Sequence, residues 1–195
     1  MKALPPRICV PVCVGRADEI PPAMQRAAET ADVIELRLDC LDESERDIAR
    51  DLLPDWLSQS GVPVILTLRA SAEGGRAAID AEAREQFWTS IGELTDACLI
   101  DLELDLTERF ANESSLKLPV DWRAVICSYH DFAGTPADLD QIYERMAATP
   151  AGILKIAVQA NDATDCIEIF GLLERAQRDK FESRTFSTDD GPLPR

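Results

Sequence analysis

Lys155 is hard to explain without chemistry. It stands in the apolar run Gly152-Ile-Leu-Lys-Ile-Ala-Val158, whereas the other three lysines, Lys2, Lys117 and Lys180, lie in polar or terminal segments. Burying an ammonium is expensive unless it is paired. Desolvation instead favours the neutral amine, which is a nucleophile for carbonyl carbon. The competing reading is a structural lysine paired with Glu35, Asp101 or Glu103. His130, the single histidine, closes the preceding apolar run in Cys127-Ser-Tyr-His-Asp-Phe132. Imidazole is the side chain that ordinarily titrates near neutrality, so it suits proton transfer. Neighbouring strands lie about 5 Å apart, so Lys155 and His130 can meet one small molecule.

Other polar residues interrupt the apolar runs near their C-terminal ends: Glu35, Arg37 and Asp39, then Arg69, then Glu103 and Asp105, then Ser128. Strand alternation puts Glu35 and Arg37 on one side if Ile34 and Leu36 face the other. Arg69 opens the loop Arg69-Ala-Ser-Ala-Glu-Gly-Gly-Arg76, where its planar fork can grip a carboxylate or hydroxyls. Glu73 in that loop can orient His130. Glu103 and Asp105 as a glycosidase pair are set aside, because residues two apart on one strand lie side by side rather than across a substrate. A Cys127–His130 nucleophilic pair has no further support.

The six cysteines form no CxxC pair, and most sit in apolar runs, so they read as small core residues in a reducing compartment. With one histidine, a structural zinc site is not expected.

Six apolar, β-branched runs position these residues: Ile8–Val14, Val33–Leu38, Val62–Leu68, Cys98–Leu104, Ala124–Ser128 and Gly152–Val158. They start about 25 to 36 residues apart, room for one strand, one helix and two loops. Between them, Asp80–Leu94 places Ala83, Phe87, Ile91 and Leu94 at helical spacing. A second helix is expected to start with Pro136 at its first position. A third, capped by Asn161 or Asp162, would carry Ile167, Phe170 and Leu173. Strands alternating with helices predict a parallel α/β sheet. A doubly wound open sheet and a (β/α)₈ barrel both fit; no GxGxxG or GxxxxGK[ST] follows a strand, which takes the best support from a nucleotide-binding open sheet, while six units fall short of the eight a barrel needs.

The chain has 195 residues with a formal charge of −16, from 36 acids and 20 bases. That balance argues against nucleic acid or an anionic membrane as partner. No run approaches the ~20 apolar residues of a membrane span, and the start lacks the apolar core of a signal peptide. A soluble cytoplasmic protein is expected.

Together these pieces resemble the type I 3-dehydroquinate dehydratases. The matching motifs are Ile8-Cys-Val-Pro-Val12, Glu35-Leu-Arg-Leu-Asp39, Thr67-Leu-Arg-Ala-Ser-Ala-Glu-Gly-Gly75, Ile100-Asp-Leu-Glu103, Ser128-Tyr-His-Asp-Phe132 with Thr135-Pro136, and Leu154-Lys-Ile-Ala-Val158. They run in family order across residues 8 to 178. The resemblance implies a TIM-type barrel, commonly a homodimer, that needs no metal or cofactor. It implies Lys155 as the imine-forming residue, His130 as the general acid/base, and Glu73 as the carboxylate that positions it. Glu35, Arg37 and Arg69 would bind the substrate, 3-dehydroquinate. A different class I aldolase-like Schiff-base lyase would use the same lysine on another ketone.

The resemblance stops short of a full barrel. Residues 1–179 are expected to form a partial barrel of six units, and residues 180–195 an irregular tail of the kind a frameshift or early stop would leave. Strands seven and eight would be absent, with the family's carboxylate-gripping arginine and the serine and glutamine of its lid. The strand edges around Ile8 and Lys155 would then be unpaired, and an inactive fragment needing a complementing piece is the competing functional reading.

Overall fold

The structure, a computed structural model, describes residues 7–94 and 98–186. Strands β1 (Cys9–Val12), β2 (Val33–Arg37), β3 (Val64–Thr67), β4 (Cys98–Glu103), β5 (Val125–Asp131) and β6 (Ile153–Val158) form one sheet in chain order. All neighbours pair in parallel. Helices α1 (Ile20–Ala28), α2 (Glu43–Gln59), α3 (Ala81–Ser90), α4 (Leu104–Asn112), α5 (Leu139–Ala147) and α6 (Asp165–Phe186) follow the strands in turn. Sequential order is the winding of a barrel; a doubly wound sheet reverses at a switch point. The fold is thus an incomplete (β/α) barrel, and among the described residues β1 and β6 each have one strand neighbour.

The sheet curls strongly. Lys155 on β6 comes within 3.9 Å of Glu35 on β2, four strands away. In a flat sheet that gap would be roughly 19 Å at about 4.8 Å per strand. The outer face is apolar: Ile34, Leu36, Leu66, Ile100 and Leu102 are buried against Ile20, Leu53 and Trp88 of the helices. Alternation sends Glu35, Arg37, Asp101 and Lys155 to the concave face, as the strand pattern predicts.

Several expectations are corrected. Asp80 does cap α3, accepting from the Ala83 N–H at 2.8 Å; of the expected apolar face, Phe87, Ile91 and Leu94 pack on the core, whereas Ala83 is exposed and Arg84 and Trp88 are the buried residues of the helix. Pro136 lies in a turn, and α5 begins at Leu139. Helix α6 begins at Asp165 rather than beside Asn161 or Asp162, and it continues to Phe186. The irregular tail expected from residue 180 is therefore helical through 186, while 187–195 lie outside the described residues. On α6, Leu172 with Ile169 and Ala176 packs against Leu139 and Tyr143 of α5. Ile167 and Phe170 instead point away from the core, 67% and 65% exposed, because α6 has packing partners on one side among the described residues.

The cysteines also depart from the core reading. Cys98 and Cys127 are buried thiols, but Cys9 is exposed, and Cys13 is disulfide-bonded to Cys40 with Cα atoms 5.4 Å apart. The cause is the repeat. The β1–β2 register offsets residues by one βα unit, pairing Val12 with Leu36. Cys13 and Cys40 leave these two adjacent strand ends together.

Candidate active site

The C-terminal ends of the strands gather one polar network. Asp101, in the middle of the sheet on β4, is fully buried and accepts from three neighbours. Arg69 Nη2 lies 2.8 Å away, Ser128 Oγ 2.5 Å and Lys155 Nζ 3.1 Å. Arg69 Nη1 also donates to Ser128 Oγ at 2.6 Å. Lys155 is placed opposite Ser128 by the β5–β6 register. The expectation of a buried lysine needs correction: its side chain is 40% exposed, because β6 is an edge. It is paired with Asp101 and Glu35, two of the three acids the structural reading named, and its amine faces the open concave end. Glu35 itself accepts from Thr67 Oγ1 at 2.9 Å.

His130 sits two residues beyond Ser128 on the same strand and shares its face. Glu73 Oε2 accepts from the His130 backbone N–H at 3.0 Å and lies 3.1 Å from ring Nδ1. One carboxylate oxygen thus holds both the strand end and the imidazole. This pairing engages Nδ1 and leaves Nε2 outside the Glu73 contact. Glu73 reaches His130 through a tight turn, Ser71–Glu73. Gly74 closes it with φ +82°, and a Cβ on Gly75 would fall 2.0 Å from the Arg69 carbonyl oxygen. The glycine pair is a geometric requirement of this loop.

A second layer holds the first. Asp39, buried, receives both fork nitrogens of Arg37 at 2.8 Å and the Arg76 backbone N–H at 3.0 Å. Burial pushes the Asp39 carboxyl up, but the Arg37 pair and the backbone donors outweigh it and hold the group below the usual range. Glu103 accepts from the Ala70 N–H at 2.7 Å and from Arg84 Nη1 at 2.5 Å. Burial raises the Glu103 carboxyl against the opposing pull of Arg84. Arg84 also reaches Asp105 at 3.2 Å. Glu103 and Asp105, set aside as lying side by side on one strand, belong to different elements: Glu103 ends β4 and Asp105 is in α4. Their common partner is Arg84, which the sequence pattern did not single out. Its signal was available as a buried-face position one turn before Trp88 on α3.

Lys155, His130, Glu73, Glu35, Arg37 and Arg69 are therefore all at one end of the sheet. They form an amine beside two carboxylates and a carboxylate-oriented imidazole, a set suited to imine chemistry with proton transfer at the adjacent carbon. Arg69 departs from the reading as an open fork: its guanidinium is buried and engaged by Asp101 and Ser128.

Residues 8–185 match the family described as type I 3-dehydroquinase. The chain belongs to that family. A bifunctional 3-dehydroquinate dehydratase/shikimate dehydrogenase of Arabidopsis thaliana, a chloroplastic protein, is 31% identical over 176 residues, 89% of this chain and 28% of the plant protein. The 3-dehydroquinate dehydratase of Methanothermobacter thermautotrophicus is 31% identical over 190 residues, 96% of this chain and 78% of that protein. The solved 3-dehydroquinate dehydratase of Enterococcus faecalis superposes with a TM-score of 0.66 at 28% identity, covering 83% of this chain and 70% of that one. This type I 3-dehydroquinase chain thus shares its relatives' barrel, and its own six units account for about the same share of the archaeal and bacterial proteins. Among the described residues, no helix is long and apolar enough to cross a membrane.

Proposed function

We propose that this chain catalyses the dehydration of 3-dehydroquinate to 3-dehydroshikimate in the shikimate pathway through a Schiff base on Lys155. The observation that carries the proposal is the convergence of the Lys155 amine, between Asp101 and Glu35, with the Glu73–His130 pair at one end of adjacent strands. The amine adds to the ketone carbon, and loss of water leaves an iminium. His130 removes a proton from the carbon beside it, and the electron pair moves into the iminium to give an enamine. The enamine expels the β-hydroxyl as water, with His130 returning its proton. Hydrolysis releases the product and Lys155. Positioned proton transfer of this kind contributes about 10² to 10⁴ in rate. Glu73 holds the imidazole, Glu35 and Arg37 form the binding surface, and Arg69 supports it from below through Asp101 and Ser128. The chemistry uses side chains alone. We place the chain in the cytoplasm and take it to be a homodimer.

Borohydride trapping tests the reaction. The chain is incubated with 3-dehydroquinate and borohydride, and the adduct is located by peptide mass mapping. A reduced adduct on Lys155, absent from Lys155→Ala, is expected. A folded chain that yields no adduct refutes the proposal, and an adduct formed with a different ketone but not with 3-dehydroquinate assigns the lysine to another aldolase-type lyase.

A further inference from the structure

Phe132 is a large apolar side chain left 59% exposed just beyond β5. Exposure of this kind forgoes burial energy, so its contacts bear examination. Its ring stacks on the His130 ring, with centroids 6.2 Å apart and planes 28° from parallel. The same ring lies over Gly74: a Cβ built on that glycine would fall 2.4 Å from Phe132 Cε2. Gly74 is the residue after Glu73, whose Oε2 binds the imidazole at 3.1 Å. Phe132 therefore adjoins both halves of the His130–Glu73 pair, the imidazole in an offset stack and the Glu73 turn at Gly74. Its own backbone is set by Asp131, whose Oδ1 accepts from the Ala133 N–H at 2.8 Å and whose carbonyl accepts from Gln159 N at 2.8 Å.

We propose that Phe132 is a positioning residue, a latch that clamps the Glu73 turn against the His130 ring and so fixes the imidazole's orientation and tautomer. The glycine at 74 serves the latch twice. Its left-handed backbone turns Glu73 toward β5, and its missing side chain makes room for the aromatic ring. A carboxylate hydrogen bond fixes one edge of an imidazole but leaves rotation about that contact; a ring against its face removes that freedom. The proposal rests on the role assigned to His130 above.

His130 is the single histidine, so imidazole ¹⁵N and ¹³C resonances report this residue alone in the full chain, with or without turnover. In the wild-type protein one neutral tautomer, protonated at Nδ1 toward Glu73, is expected to dominate. Phe132→Ala is expected to shift the ring nitrogens toward a tautomeric mixture while the melting temperature stays near wild type, since the side chain is mostly exposed. Turnover with 3-dehydroquinate should fall about 3- to 10-fold in kcat, the worth of one aromatic stack, with KM little changed and the borohydride adduct on Lys155 retained. Phe132→Tyr should restore both the resonances and kcat. Unchanged imidazole resonances in Phe132→Ala refute the latch, as does a rise in KM with kcat intact, which would make Phe132 a substrate contact. If wild-type protein forms no adduct, the function assigned to the site fails, and the resonances alone still decide whether Phe132 positions His130.

Discussion

Reduction of the Cys13–Cys40 disulfide should cost the fold a good deal of stability and the chemistry little. The bond spans a sequence separation of 27. Loop-closure entropy for a loop of that size gives about 3.5 kcal/mol at 25 °C. For a chain of this length each kcal/mol moves the melting temperature by roughly 2–4 °C, so the expected drop is about 7–14 °C. The bond also abuts the site, since Cys40 follows Asp39, the acid that holds Arg37. Asp39 keeps its place without the disulfide, however, through both Arg37 fork contacts at 2.8 Å and the Arg76 N–H at 3.0 Å. Thermal melts with and without dithiothreitol, and of Cys13→Ser/Cys40→Ser, measure the first quantity. The rate of borohydride trapping on Lys155 at 20 °C measures the second. A melting temperature unmoved by reduction would refute the entropic argument, and loss of trapping in a still-folded reduced chain would show that the disulfide, rather than the Asp39 network, holds the binding surface.

Two further outcomes follow from the buried ion pairs. Because Asp39 sits below its usual range in the folded state, its stabilisation is present above the unfolded value near 3.9 and is lost as pH falls through the folded value. Asp39→Asn should therefore melt lower than wild type at pH 7, with the gap closing below about pH 4; a gap constant with pH would contradict the linkage. Arg84→Met removes the cation between Glu103 and Asp105 and leaves buried Glu103 with the Ala70 N–H at 2.7 Å and the more distant Arg69 at 3.9 Å, so it should cost about 3 kcal/mol in denaturant titration. A cost below 1 kcal/mol would show that water or a repacked neighbour replaces the guanidinium.

The barrel winding was readable because six apolar runs recur at βα spacing and bury one face against helices. The site residues were readable because a lysine and a histidine at strand ends are conspicuous against apolar neighbours. What escaped depended on three-dimensional closure. The pairing of Cys13 with Cys40 follows from the register of β1 on β2, which no single run reveals. Arg84 lies in a helix whose apolar spacing marked a face through Ala83, Phe87, Ile91 and Leu94; the last three do pack on the core, but Ala83 is exposed and the buried stripe also takes in Arg84 and Trp88, an extension that apolar spacing alone does not show. Lys155 was expected to be buried because its strand is apolar on both sides, yet burial depends on a neighbour beyond β6. The same holds for Ile167 and Phe170 on α6.

The charges around the site say which part of the substrate these six units can recognise. Arg37 is engaged by Asp39, Arg69 by Asp101, Arg84 by Glu103 and Asp105, and Lys155 by Asp101 and Glu35, while Glu73 serves His130. Six carboxylates thus face four cations and one imidazole, within a chain whose formal charge is −16. Each of these four cations is thus already matched by a carboxylate. 3-Dehydroquinate carries a carboxylate as well as a ketone and hydroxyls, so its capture here rests on hydroxyl contacts and on the covalent bond to Lys155. Recognition of its carboxylate calls for a cation outside these pairs, such as the exposed Arg76 that ends the Arg69–Arg76 loop. That division agrees with the family resemblance, which assigns the carboxylate-gripping arginine to a seventh unit, and under the proposed function it makes imine formation the step on which binding by the described residues depends.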